Sequence, residues 1–290
     1  MAAARETMSV RSGDADICVE SIGHPGDPAI LLIAGGASSM DWWEDELCEL
    51  LAGRGLRVIR YDNRDTGRST TYPPGAPGYT GEDLVDDAVA ILDALSVDAA
   101  HVAGLSMGGA LAQVLALEHR ERVKSLTLIS TSAVVGEGPD LPGMDPELGA
   151  AFAEERPEPD WSDRDAVIDH LVEVERPFAG SADFDEQRSR VIAGRVFDRS
   201  NDLRAADNHG SVGDAAPEGV SLADLEGLPT LVVHGALDPM FPPAHGRAIA
   251  AAIPGARLVE LEDVGHQYPP ERHWTRFADL LVEQVGSQDD

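Results

Sequence analysis

The run Ala99-Ala-His-Val-Ala-Gly-Leu-Ser-Met-Gly-Gly-Ala-Leu-Ala-Gln-Val-Leu-Ala-Leu117 decides the fold. Its 19 residues carry no charged side chain. That length approaches a membrane span, but His101, Ser106, Gln113 and three glycines interrupt it. It reads instead as a buried strand (His101–Leu105), a sharp turn and a helix rich in small residues (Ser106–His119). At its centre, Gly104-Leu105-Ser106-Met107-Gly108 fits G-x-S-x-G. In that pattern a strained strand-to-helix turn projects a serine hydroxyl out of a sheet. Five residues alone are a weak signal, and the strand before and helix after give them weight. Side chains at positions 104 and 108 would collide with the neighbouring strand and helix. A Gly-rich helix start capped by Ser106 is the plainer alternative.

Outward from this turn, short apolar runs alternate with helical patterns. Strand candidates are Ile30–Ala34, Arg57–Tyr61, Lys124–Ile129, Thr230–His234 and Ala256–Leu261. Runs apolar on both faces suit a parallel sheet buried between helices. The helix candidates are Asp41–Ala52, Gly81–Leu95, Pro243–Ile253 and Pro270–Val285. Strands alternating with helices imply βαβ units and right-handed crossovers, hence an α/β fold with a mostly parallel twisted sheet. Ala15–Ile22 adds one or two antiparallel strands at the edge. Residues 137–222 break the rhythm with a stretch rich in Pro, Asp and Glu and helical patterns near Trp161–Glu175 and Phe184–Arg195. They read as a helical insertion after the sixth core strand, with residues 1–136 and 223–290 forming the core. Phe152, Trp161, Phe178, Phe184 and Phe197 bury area there and argue against a disordered linker.

Composition narrows the function classes. The chain has 290 residues, 43% of them hydrophobic, enough for a sizeable core. Lys and Arg number 22 against 52 Asp and Glu, a formal charge of −30. That balance repels phosphate backbones and anionic lipid, so neither nucleic acid nor membrane is an expected partner. Cys18 and Cys48 make no disulfide framework and no metal cluster. They read as idle thiols of a reducing compartment, which implies a cytoplasmic protein. Met1–Val10 has no apolar core and does not read as a signal peptide.

A serine hydroxyl needs a base, and the base needs a group to orient it. The chain order for this turn is serine, acid, histidine. Asp238, in His234-Gly-Ala-Leu-Asp-Pro239, follows a late strand, and His266, in Gly265-His266, follows the last one. The carboxyl ends of parallel strands converge on one crevice, so residues this distant can meet. Glu262 and Asp263 are too close to His266 in sequence for the usual geometry. The other eight histidines read as surface or core groups, with His234 a neighbour of the acid. Acyl transfer also needs two amide donors for the carbonyl oxygen. The expected donors are the N–H groups of Met107 and of Gly36, the latter in the Gly35-Gly36 turn after the Ile30–Ala34 strand. Trp43 is a candidate for the acyl pocket wall, with helix packing as the alternative.

Taken together, these motifs resemble the α/β-hydrolase superfamily over nearly the whole chain except the insertion. Ala34-Gly35-Gly36 stands where the usual turn reads His-Gly-x. Asp62-Asn-Arg-Asp-Thr-Gly-Arg-Ser69 resembles D-x-R-G-x-G-x-S, with Asp65 where many members have glycine. The run Arg60–Thr70, with Gly-Leu-Ser-Met-Gly and the Ala-Gly-Gly turn, is similar to the aclacinomycin methylesterase group, enzymes that hydrolyse the methyl ester of anthracycline polyketides. The resemblance implies a Ser106–Asp238–His266 triad, a helical cap over residues 137–222 and no cofactor or metal. Ala34 lacks the histidine that often braces the oxyanion turn. Asp62 and Arg64 are expected to hold loops together rather than to react.

The expected function is a cofactor-free serine carboxylic-ester hydrolase for a small to medium ester, a polyketide methyl ester among the candidates. Lactonase, carbon–carbon bond hydrolase and perhydrolase chemistry use the same triad and remain alternatives, as does a ligand receptor on a hydrolase fold. The serine argues against epoxide hydrolases and haloalkane dehalogenases, which use an aspartate. The oligomeric state is not readable. The charge is uneven: residues 137–222 hold 8 basic and 21 acidic side chains, a net of −13 in 86 residues. A well-solvated surface explains this most simply. The sharper expectation is a field over the pocket entrance that favours neutral or cationic esters.

Overall fold

Side chains of each central strand alternate between the two faces of a single sheet. In β3 (Ala29–Ile33), Leu31 and Ile33 face one hydrophobic cluster, while Ile30 and Leu32 face the other. The computed structural model describes residues 4–136, 140–154, 156–213 and 215–286. Within them, β1 (Arg5–Ser12) and β2 (Ala15–Ile22) form an antiparallel edge hairpin, and β2 pairs antiparallel with β4 (Arg57–Tyr61). From β4 onward the sheet is parallel: β3, β5 (Ala100–Leu105), β6 (Val123–Ile129), β7 (Thr230–Gly235) and β8 (Arg257–Leu261). The spatial order is β1-β2-β4-β3-β5-β6-β7-β8. The chain runs outward from β3 to β4, then crosses back to place β5 on the other side of β3. That reversal makes β3/β5 the topological switch point, where the loops beyond the two strands part and leave a crevice.

Helices cover both faces. The first cluster joins the sheet to α2 (Gly81–Ala94), α3 (Met107–Glu118) and α7 (Ala244–Ala252) through Leu84, Ile91, Leu111, Leu115 and Ile249. The second joins it to α1 (Asp45–Ala52) and α8 (Trp274–Gly286) through Leu47, Leu51, Phe277 and Leu281. Each such side chain contributes about 1.5–3 kcal/mol when fully buried. The segment expected to be one helix from Asp41 to Ala52 is broken. A 3₁₀ turn at Met40–Trp42 ends at Trp43, and Glu44 is extended before α1 begins. The break has a cause in the core: the Trp43 carbonyl accepts from the Arg60 guanidinium and from Cys48 Sγ instead of continuing a helical ladder.

Between β6 and β7 the described residues contain no strand. They form α4 (Pro146–Ala153), α5 (Arg164–Glu175), a 3₁₀ turn at Arg176–Ala179, α6 (Glu186–Arg199) and a 3₁₀ stretch at Leu203–Ser211. Ile168, Val172 and Ala193 give α5 and α6 a small core of their own. Residue 137, the expected start of the insertion, lies outside the described residues. Arginines on α6 reach the main body: Arg188 pairs with Glu44, Arg195 with Glu46, and Arg199 with Asp41 and Asp62. Among the described residues, no helix is long and apolar enough to cross a membrane.

Candidate active site

The β5–α3 turn is built from atoms that leave no room. A Cβ on Gly104 would lie 2.1 Å from the Gly108 carbonyl oxygen, and one on Gly108 would lie 2.4 Å from that of Ile33. Helix and strands therefore close up around Ser106, which sits at φ 53°, ψ −118°. A non-glycine residue in that region is strained, and such strain persists only where the surroundings over-determine it. They do so here: the Ser106 N–H donates to Ile129 O at 2.9 Å, and its carbonyl accepts from Thr131 Oγ1 at 2.9 Å. Ser106 and Met107 open onto a pocket of about 270 Å³ whose lining includes Leu84, Leu111, Val114, Val212 and Phe241.

Asp238 and His266 meet as their strand-end positions imply. Asp238 is 3% exposed, and its Oδ2 accepts from His266 Nδ1 at 2.9 Å. Its Oδ1 accepts from the N–H groups of Met240 and Phe241 at 2.9 and 2.8 Å. Burial works to raise the carboxyl's pKa, but the His266 hydrogen bond, the imidazole charge and the Phe241 amide outweigh it, and the net shift is downward. An ionised Asp238 only accepts, so the imidazole proton sits on Nδ1 and Nε2 is left as a base. The His266 N–H donates to Phe178 O at 2.8 Å. Its ring lies between Phe178, at 5.8 Å, and Phe241, at 5.5 Å and edge-on. Phe241 thus touches both the histidine and the pocket onto which Ser106 opens. His234 supports this loop from beneath: its Nε2 donates to Phe241 O at 2.7 Å, 3.6 Å from Asp238 Oδ2.

Gly36 and Met107 face each other. A Cβ on Gly36 would be 3.8 Å from Met107 Cβ. Among the described residues, neither backbone N–H donates to a protein acceptor. Trp43 corrects the sequence reading. It is fully buried in the second hydrophobic cluster, edge-on to Tyr268 at 4.9 Å, and takes no part in the pocket wall. Asp62 and Arg64 bind loops as expected. Asp62 accepts from Met40 N, Arg68 N and Arg199, while Arg64 forms two bonds of 2.9 Å to buried Asp87.

Three groups at the site carry no sequence motif. Phe178 belongs to the segment between β6 and β7. Tyr268 is buried, and its hydroxyl accepts from Gly35 N at 2.8 Å. His209 lines the pocket from the Leu203–Ser211 stretch. Only the missing brace at Ala34 hinted that another side chain would support the turn.

A family model described as the alpha/beta hydrolase fold matches residues 28–268. The chain belongs to this α/β-hydrolase family. Rhodomycin D methylesterase DauP of Streptomyces sp. (strain C5) is 35% identical over 92% of this chain and 94% of its own length. Rhodomycin D methylesterase DnrP of Streptomyces peucetius is 33% identical over the same shares. Among solved structures, the enol-lactonase of Burkholderia xenovorans LB400 superposes with a TM-score of 0.71 at 26% identity, covering 96% of this chain and 100% of that one. With such relatives along almost its whole length, this α/β-hydrolase is a carboxylic-ester hydrolase.

Proposed function

We propose that Ser106, His266 and Asp238 act as nucleophile, base and orienting acid in hydrolysing the methyl ester of a polyketide, with the amides of Gly36 and Met107 as the oxyanion hole. One observation carries this reading. Ser106 is held in a strained turn at the mouth of an apolar pocket whose Phe241 wall also packs on the Asp238-bound His266. The kinship with the two rhodomycin D methylesterases supports the ester class. The apolar pocket suits an uncharged ring system.

In the first half-reaction His266 Nε2 takes the Ser106 proton as Oγ bonds to the ester carbonyl carbon. The carbonyl oxygen becomes an oxyanion, which the two amides hold, each contributing about 3 kcal/mol. The imidazolium, stabilised by ionised Asp238, returns its proton to the departing methoxide, and methanol leaves. Water, deprotonated by His266, then attacks the acyl-enzyme. Collapse breaks the Ser106 ester, frees the polyketide acid and restores the serine. In this reading the helical segment between β6 and β7 acts as a cap over the sheet and its flanking helices. The two free buried thiols are in keeping with a cytoplasmic enzyme.

The test is Ser106→Ala, assayed on p-nitrophenyl esters and on a polyketide methyl ester. Turnover is expected to vanish with the circular dichroism spectrum unchanged. Turnover retained by the variant removes Ser106 as the nucleophile, and a wild-type enzyme that turns over the simple esters but not the polyketide ester removes the substrate assignment.

A further inference from the structure

The turn after β3 presents three successive amides, and side chains from two distant segments claim the outer two. Gly35 N–H donates to Tyr268 Oη at 2.8 Å. Ala37 N–H donates to His209 Nδ1 at 2.9 Å. The middle amide, Gly36 N–H, is left facing Met107 with no protein acceptor among the described residues. Ala37 sits at φ 56°, a left-handed conformation that an alanine adopts only when its surroundings impose it. The His209 ring is held at its other end too. Nε2 donates to the Arg64 carbonyl at 2.8 Å, in the loop after β4. A backbone N–H must be accepted and a backbone carbonyl must be donated to, so these partners select the neutral Nε2–H tautomer. The ring is 8% exposed, and burial favours its neutral form.

We infer that His209 is a positioning residue for ester hydrolysis: from the segment between β6 and β7, it clamps Ala37 so that the Gly36 amide points at the developing oxyanion. This rests on the function proposed above. It accounts for a chain that has Ala34 where a histidine brace would otherwise stand within the turn itself. The clamp comes from 172 residues away, so the oxyanion hole is complete only when that segment is docked.

The test compares His209→Ala, His209→Asn and His209→Gln with wild type, using kcat and KM for a p-nitrophenyl ester and the inactivation rate by a p-nitrophenyl phosphonate. The phosphonyl oxygen occupies the oxyanion hole, so a fault confined to that hole slows inactivation in step with kcat. Asn places an amide oxygen near the position of Nδ1 and keeps the Ala37 bond, whereas Gln reaches the position of Nε2 and keeps only the Arg64 bond. Expected for His209→Ala is a kcat loss of about 10- to 100-fold, below the roughly 10²–10³ of deleting a donor outright, with KM within about threefold. His209→Asn recovers most of kcat and His209→Gln does not. Wild-type kcat in His209→Ala overturns the proposal. So does equal activity of folded Asn and Gln variants, a comparison that decides the matter even where the alanine variant fails to fold. Turnover by Ser106→Ala would sink the hydrolase mechanism itself, whereas a dead Ser106→Ala beside a fully active His209→Ala sinks the clamp alone.

Discussion

Asp65 stands where many α/β-hydrolases have glycine, and its backbone gives the reason: φ is 68°, the left-handed region. Aspartate tolerates that conformation better than most residues. Here its carboxylate also accepts from Tyr72 N at 2.6 Å and from Asn208 Nδ2 at 2.9 Å. Asn208 adjoins His209, so this substitution and the histidine clamp belong to one contact between the loop after β4 and the Leu203–Ser211 stretch. The folded pKa of Asp238 lies below the ordinary carboxylate value of 3.8. Its contribution to stability is therefore fully present above about pH 4 and is lost as pH falls through the lower folded value. Urea melts from pH 5 to pH 2 should show a steeper loss of stability in wild type than in Asp238→Asn. The same variant should lose roughly 10⁴-fold in kcat, because an amide selects the wrong imidazole tautomer. Equal acid slopes for the two proteins would count against the paired carboxylate.

Among the elements, Arg64 ties three together. It bonds Asp87 of α2 and the Ser12 carbonyl of β1, and pairs with Asp14 in the hairpin turn. Arg64 and Asp87 side chains are each 1% exposed. Arg64→Leu strands a buried carboxylate and should destabilise the protein by about 3–5 kcal/mol, measured by chemical denaturation. A loss under 1 kcal/mol would show that water reaches the site. The parallel strands were legible because burial on both faces leaves unbroken apolar runs such as Ile30–Ala34 and Leu231–Val233. Ser106, Asp238 and His266 were legible because each sits in a short motif at a strand end. His209, Phe178 and Tyr268 were not, because their roles arise from contacts across the fold rather than from neighbours in sequence. Helix α4 leaves no such signal: Pro-Glu-Leu-Gly-Ala-Ala-Phe-Ala buries only Leu148 and carries no repeating apolar stripe.

Over the whole molecule the charge of −30 is distributed by purpose as well as by position. Three of the eight arginines in residues 137–222 turn inward to pair with Glu44, Glu46, Asp41 and Asp62. The outer surface of that segment is therefore more acidic than its net of −13 conveys. A segment of that net charge sets up a field that would raise the local concentration of cationic esters. The ratio of kcat/KM for a cationic ester over its anionic analogue should exceed one at low salt. It should fall as the screening length shrinks from about 30 Å at 0.01 M to about 10 Å at 0.1 M salt. A ratio indifferent to salt would assign the acidity to solvation alone.

The 3₁₀ turn at Arg176–Ala179 has a bearing on engineering. A Cβ on Gly265 would lie 2.3 Å from the Ala179 carbonyl oxygen, and one on Gly180 would lie 2.8 Å from that of Leu237. The turn is thus wedged between the loops that carry Asp238 and His266, backbone against backbone. A chimera that grafts a foreign lid onto this scaffold, cut at the ends of β6 and β7, would remove one wall of the histidine along with the old specificity. The workable splice points lie on either side of residues 176–180, so that the pentapeptide and the 203–211 stretch keep their contacts with the loops of Asp238, His266 and Ala37.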